Sequence, residues 1–328
     1  MQPLNYSNKA IETFQSWVPG LLERQTELGP FLRSMTKYLH ESQKFIFPEG
    51  GHIFEEEKWV KWAGVPLNLP YPIVAIEYPA EFYPGNTPEF MKARGEASVP
   101  SPKRIALAMT RDGLALDPGF QAFVFDYLAL FDGARKKKYG STAPYIHSDW
   151  WLLWPICEMR HEWRPSWCGA VVPLGDESVD ETGIKKDFVP VVLPSLLAQS
   201  SLREVSADVL HQYVLFDLKD ELIAMKQLCQ VLGCENMTTK VLDASPKLNK
   251  ARAKKGHLPL YDYHVLVVKT DQHNPRTDNT LGGNHASPRF HWRRGHIRKL
   301  PTGKNTWVRS CAVGQTEMGI IEKDYVVT

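Results

Sequence analysis

Short apolar segments bounded by proline, glycine or charged residues constrain the fold of this chain more than any other feature. Each segment is rich in aromatic and β-branched residues and is shorter than an ordinary helix, which predicts strands. The predicted strands are Ile73–Tyr78, Arg104–Met109, Phe123–Leu128, Trp150–Trp154, Gly169–Pro173 and Phe188–Leu193. A chain that combines such strands with separate helical segments is predicted to have an α+β fold.

Apolar residues recur at helical spacing on both sides of this strand-rich region. The first two predicted helices carry Ile11, Phe14, Trp17 and Val18, and then Phe31, Met35, Tyr38 and Leu39. A long helix is predicted to begin at Ser201, which forms a capping box with Glu204, and to end at Gly233. Its apolar stripe consists of Leu210, Val214, Leu218, Leu222, Met225, Cys229 and Leu232.

Four more strands are predicted after the long helix and a basic connector at 247–256. They are Tyr261–Val268, Arg289–Leu300, Thr306–Val313 and Gly319–Val327. We expect them to form a small antiparallel sheet of about four strands. The chain is therefore predicted to have two domains, an aromatic-rich α+β domain at 1–200 and a basic helix-plus-sheet domain at 201–328.

Composition indicates a soluble globular protein. The chain has 328 residues, of which 43% are hydrophobic and 23% are charged. No apolar run approaches the roughly 18 residues that a membrane helix needs, and no signal peptide is evident, so we expect a cytoplasmic protein with no membrane partner. Five cysteines form an odd and sparse set, which argues against a disulfide framework.

Charge is distributed unevenly along the chain. The net charge of the whole chain is +2, but residues 247–328 contain 15 basic and 6 acidic residues, whereas the remainder contains 24 basic and 31 acidic residues. Such a division suggests a basic functional module joined to a more acidic body. Two mutually neutralising faces of one domain are the alternative.

The basic module contains a block at 282–299 with three histidines, five cationic residues, two aromatic residues and no carboxylate. A bulge near Gly295 would place Phe290, Trp292 and Ile297 on the core side of a strand and the histidines on the open side. The candidate catalytic residues are His291, His296 and His285. The candidate nucleic-acid or phosphate-binding residues are Arg289, Arg293, Arg294, Arg298, Lys299, Lys254 and Lys255.

Histidines among guanidinium groups suit metal-independent cleavage of RNA. Imidazoles can serve as base and acid, and arginines can bind the phosphate in a bidentate manner. Binding of nucleic acid without chemistry and a face that contacts protein or solvent remain alternatives. Zinc binding by Cys157, His161 and Cys168 is disfavoured by their spacing, and the common nucleotide-binding, hydrolase and metalloprotease motifs are absent. We therefore expect no metal and no cofactor.

The basic C-terminal region carries a resemblance to a group of proteins. It includes Lys250–Gly256 followed by Pro259–Tyr263, then His285–Arg298, and finally Trp307-Val308 with Lys323-Asp324-Tyr325. This set, in roughly the last quarter of the chain, resembles uncharacterised proteins encoded by bacteriophages and prophages. The resemblance implies a phage setting and a bacterial host cytoplasm. It does not identify any catalytic residues.

Two functions follow from these patterns. The first is a phage-type protein that interacts with nucleic acid, RNA being favoured, with metal-independent endoribonuclease chemistry as its enzymatic form. The second is a non-catalytic phage inhibitor that binds a host or defence protein. The sequence does not specify the oligomeric state.

Overall fold

The computed structural model describes residues 3–54, 67–79, 103–139, 149–159, 161–174, 188–193, 207–268, 289–293, 296–308, 311–313 and 315–320. Its α-helices are α1 (Tyr6–Glu23), α2 (Leu28–Glu41), α3 (Arg111–Leu114), α4 (Pro118–Tyr139), α5 (Ala207–Leu232) and α6 (Pro246–Ala253). Strands β1–β7 are Gln43–Ile46, Ile73–Pro79, Lys103–Thr110, Trp150–Met159, Glu162–Pro165, Cys168–Pro173 and Val189–Val192. Strands β8–β14 are Met237–Leu242, Tyr263–Val268, Arg289–Arg293, His296–Lys299, Asn305–Val308, Cys311–Val313 and Gln315–Ile320.

Nine of these strands form one mixed sheet. Its order is β7-β6-β4-β3-β2-β1-β9-β8, and β5 also pairs with β4. Strand β1 runs parallel to both β2 and β9, whereas β2, β3, β4, β6 and β7 pair with one another in antiparallel fashion. The fold is therefore mixed α and β, in agreement with the class predicted from the sequence.

Helices cover both faces of this sheet. Because side chains alternate along a strand, Ile73 and Ala75 of β2 face one side and Val74 and Ile76 face the other. The first side packs against α1, α2 and α4 in the main apolar core. Helix α5 lies on the opposite side, where its leucines line a small apolar pocket with Leu153 of β4.

Most of the predicted elements in the first two hundred residues are confirmed, with one exception. The strand predicted for Phe123–Leu128 is wrong, because this segment lies in helix α4. Asp117 accepts a hydrogen bond from the Phe120 amide, 3.2 Å away, and Pro118 occupies the first turn. Phe120, Val124 and Leu128 are buried at i, i+4 and i+8, a helical spacing that outweighs the β propensity of the single residues.

The predicted four-stranded antiparallel sheet after the long helix is also wrong. Strand β9 instead joins the large sheet beside β1, where Lys44 pairs with Tyr263 and Phe45 with His264. Tyr263 is fully buried there, and this burial favours the central position. The remaining strands form a three-stranded sheet, β13-β10-β14, and a two-stranded sheet, β11-β12. Because β10 and β14 are parallel, the small sheet is mixed.

Contacts between residues divide the chain into two compact units. The first comprises Met1–Gln230 and Lys240–Val265, and the second comprises Val231–Thr239 and Leu266–Thr328. The predicted division into domains at 1–200 and 201–328 stays a prediction. Among the described residues, no helix is both long enough and apolar enough to cross a membrane.

Candidate interaction surface

The predicted histidine and arginine residues lie on two different strands. Arg289, His291 and Arg293 belong to β10, which pairs with β13 and β14, and His296, Arg298 and Lys299 belong to β11, which pairs with β12. The side chains of Arg298 and Lys299 are exposed, and Ile297 between them and His296 is buried. His285, Arg294 and the bulge at Gly295 lie outside the described residues. Convergence of the histidines therefore stays a prediction.

The other two predicted residues, Lys254 and Lys255, lie at the C-terminal end of α6 in the first unit. The Ser245 hydroxyl caps this helix by accepting from the Leu248 amide, and Pro246 occupies the first turn. No residue of α6 is buried. The helix is therefore not held in place by apolar packing.

Polar contacts anchor one side of α6 to the segment that follows it. The Asn249 amide donates to the Leu260 carbonyl at 3.0 Å, and its oxygen accepts from the Leu260 amide at 2.7 Å. The Arg252 Nε donates to the Leu258 carbonyl at 2.7 Å, and its guanidinium lies 3.5 Å from Glu12 of α1. These contacts fix both the position and the rotation of the helix.

The segment beyond α6 is itself attached to the core. Leu258 and Tyr261 pack against the main apolar cluster. The Tyr261 ring lies beneath the Lys44 ammonium, 3.8 Å from its centroid, and the Tyr261 hydroxyl contacts His40 of α2. Leu260, the partner of Asn249, therefore lies between two residues that pack against the core.

Three lysines lie on the opposite side of α6. Lys247 and Lys250 belong to the helix, and Lys254 is its C-cap residue, whose backbone angles are still helical. At about 100° per residue, Lys247, Lys250 and Lys254 share one stripe, nearly opposite the direction of Asn249 and Arg252. All three lysines are exposed, and none forms an ion pair with a carboxylate in the part of the chain that the structure describes. We call Lys247, Lys250 and Lys254 the cationic stripe. Lys255 is exposed beside it.

We expect Asn249→Ala to loosen α6 without unfolding the protein. The change removes two backbone contacts from a helix that has no apolar anchor, so local opening should become about tenfold more frequent. Limited trypsin digestion with mass spectrometry would detect faster cleavage after Lys250 and Lys254. Asn236→Ala is the matched control, because Asn236 makes the same pair of contacts with Trp307 in the second unit. Equal cleavage in both variants would contradict the anchoring role of Asn249.

One buried carboxylate in the sheet serves the fold rather than forming an open site. Glu77 of β2 accepts hydrogen bonds from the Tyr6 and Ser7 amides at 2.9 and 2.8 Å, at the start of α1. It also accepts from the Ser7 hydroxyl at 2.6 Å and from the Tyr263 hydroxyl at 2.9 Å. Burial raises the pKa of Glu77, and these donors act in the opposite direction. The carboxylate is the N-terminal anchor of α1.

A second buried ionisable group lies on the other face of the sheet. Arg104 of β3 donates to Glu221 of α5 at 2.7 Å, and Asp220 lies 3.9 Å away. Burial raises the pKa of Glu221 to about 7, although the Arg104 charge opposes this shift. The pair joins α5 to the sheet and is covered by both elements, so we assign it a structural role.

The cysteines considered for zinc do not form a ligand set. Cys157, Cys168, Cys229 and Cys234 are free thiols. Burial raises the pKa of each thiol, to about 12 for Cys157 and Cys229 and about 11 for Cys234. Within the described residues, no group of three or more histidine, cysteine or acidic side chains could hold a metal ion.

The described features include an exposed cationic helix that polar contacts anchor to the core. Residues 243–317, which begin just before this helix, match the model of the AcrVA2-like family, described as an anti-CRISPR type V subtype A2 family. The match covers roughly a quarter of the chain. Because this family is encoded by phages, the match supports the predicted phage setting. A search of curated proteins and a search of solved structures each returned no match.

Lys247 and Lys250 of the cationic stripe are not among the residues predicted to bind. The sequence predicts a basic connector at 247–256, in which only Lys254 and Lys255 are candidate binding residues. Ser245-Pro246 is a helix start signal, and Lys247, Lys250 and Lys254 have the spacing i, i+3 and i+7. These two observations together would have predicted the helix and its stripe.

Proposed function

We propose that this protein is a phage inhibitor that opposes a bacterial CRISPR defence by binding a protein of that defence, without chemistry of its own. The family match at 243–317 is the observation that carries the proposal. The buried groups described above support it, because Glu77 and the Arg104–Glu221 pair are occupied by structural contacts. The proposal corresponds to the second of the two functions predicted from the sequence.

Interference with plasmid transformation tests this function. A bacterium that carries a type V CRISPR system and a matching guide should reject the targeted plasmid. Expression of the chain should restore transformation to the level of a plasmid without the target. A strain with an unrelated CRISPR type should continue to reject its target. Persistent rejection in the type V strain, with the chain present in soluble form, would overturn the proposal.

Binding to a defence protein requires its own measurement. The tagged chain should co-purify with a protein component of the type V system when both are expressed in the same cells, and a tag alone should not. Restored transformation without any such complex would contradict the binding mechanism.

The ribonuclease hypothesis is tested separately on purified protein. An inhibitor without chemistry leaves RNA intact in the presence of EDTA. Cleavage in EDTA that His291→Ala abolishes would replace the proposal with the first predicted function, because such cleavage requires an imidazole acid or base and no metal. Cleavage that persists in His291→Ala would indicate a contaminating nuclease.

A further inference from the structure

We propose that the cationic stripe on α6 binds the phosphate backbone of double-stranded nucleic acid without regard to base sequence. Lys247, Lys250 and Lys254 are exposed, lie on one side of a helix and have no described carboxylate partner. Each is also free of the hydrogen bonds that fix the opposite side. Three ammonium groups are thus presented together to solvent, at rises of about 4.5 and 6 Å along the helix axis.

The helix is ordered before any ligand arrives. A segment of eight residues with no buried side chain would ordinarily fray, because little apolar surface offsets its conformational entropy. Here Asn249 and Arg252 hold it through three side-chain hydrogen bonds to backbone groups of Leu258 and Leu260. Preordering lowers the entropy lost on binding, so even a small set of charges can contribute to affinity.

The composition of the surface favours nucleic acid over a protein partner. Lysine is depleted at protein–protein interfaces, where aromatic residues and arginine supply most of the binding energy. Residues 240–257 contain five lysines, one arginine and no phenylalanine, tyrosine or tryptophan. The Arg252 side chain is engaged with Leu258 and Glu12, which leaves the lysines to make contact. Lysines contact phosphates as point charges and need no fixed geometry.

The same composition favours a duplex over a single strand. Proteins that bind single strands generally stack the bases on aromatic side chains, and the stripe offers none. A duplex instead presents closely spaced phosphates on a rigid surface, about one charge per 1.7 Å of axis in DNA. A rigid cationic helix fits such a rigid ligand, and contact with phosphates alone provides no sequence discrimination.

Salt dependence of binding is the decisive measurement. The full-length protein should bind a labelled DNA duplex of about two helical turns, with affinity that falls steeply between about 50 and 200 mM salt. Three phosphate contacts should contribute about −3 to the slope of log affinity against log salt. K247Q/K250Q/K254Q should remove that contribution and weaken binding at least about tenfold at low salt. Duplexes of unrelated sequence, and an RNA duplex, should bind alike.

A control variant with the same change in net charge distinguishes the effect of the stripe from the effect of the overall charge of the protein. K9Q/R24Q/R33Q removes three exposed cations from α1, its C-terminal end and α2, and it should leave the slope nearly unchanged. Circular dichroism and thermal unfolding should show that both triple variants are folded. No duplex binding by the unmodified protein, an unchanged slope in K247Q/K250Q/K254Q, or an equal loss in the control would overturn the proposal.

Two further outcomes would also overturn it. Tighter binding of a single strand than of the duplex would contradict the choice of ligand. If K247Q/K250Q/K254Q loses CRISPR inhibition and the unmodified protein binds no duplex, the stripe instead binds an acidic surface of a partner protein. Because the binding assay contains only protein and nucleic acid, its result is independent of whether the chain opposes a CRISPR system.

Discussion

Glu77→Ala should lower the free energy of unfolding by about 4 kcal/mol, since it leaves several buried donors without an acceptor. The Tyr6 and Ser7 amides at the start of α1 would lose their partner, and so would the buried Tyr263 hydroxyl. The favourable placement of a negative charge at a helix N-terminus would be lost as well.

Urea denaturation followed by tryptophan fluorescence would measure this loss. Tyr263→Phe removes only the Tyr263 hydroxyl, one of the donors to Glu77, and should lower the free energy of unfolding by about 1 kcal/mol. Glu23→Ala on the exposed end of α1 is the control and should change stability by less than about 0.5 kcal/mol. If Glu77→Ala behaves like Glu23→Ala, then Glu77 does not anchor α1.

Arg104→Met should lower the free energy of unfolding by about 3–5 kcal/mol, because it leaves the Glu221 carboxylate buried without a cation. Glu221 is fully buried, and two other charged neighbours, Asp220 and Asp217, are also acidic. The double variant Arg104→Met with Glu221→Leu should recover most of the loss, since no buried charge then remains. Lys37→Met is the control, because the Lys37–Asp117 ion pair is mostly exposed on the lysine side.

The effect of Arg104→Met should depend on pH. The pKa of Glu221 is raised from 4.5 to about 7 in the folded protein, so its contribution to stability is largest below pH 4.5 and declines as pH rises through 7. Without Arg104, the pKa should rise further and the decline should extend to higher pH. Unfolding measured at about pH 5 and pH 8 should therefore show the greater loss at pH 8. Equal losses would indicate that the pair is not electrostatically coupled.

Local patterns in the sequence predicted the elements of the fold better than their partners. Periodicity located α1, α2 and most of α5, and short β-branched segments located β2, β3, β4, β6 and β7. Local propensity gave the wrong prediction at Phe123–Leu128. Its aromatic residues favour a strand, but the segment is helical because its buried residues have helical spacing. Pairing of β1 with β9 joins residues more than two hundred positions apart, and no local pattern encodes such a contact.

The candidate site was predictable to a smaller extent. The uneven charge distribution along the chain indicates the basic module. Lys254 and Lys255 are exposed, and their role in binding nucleic acid or phosphate stays a prediction. The anchoring of α6 could not be predicted, because it depends on carbonyl groups of Leu258 and Leu260 whose positions are set by the core. His291 and His296 lie in separate sheets. The sequence pattern did not predict this, because it indicates a single strand over Arg289–Leu300.

Parallel pairing of β1 with β9 has a consequence for dissecting the protein. The family-matched segment begins at residue 243, yet its first portion supplies a strand to the central sheet and the Tyr263 hydroxyl that contacts Glu77. Truncation of the chain before residue 243 would expose an edge of β1. It would also remove the Tyr263 hydroxyl, one of the hydrogen-bond donors to Glu77. The matched segment therefore cannot be removed or transferred as an independent unit. A deletion should begin after Val265, where the first compact unit ends.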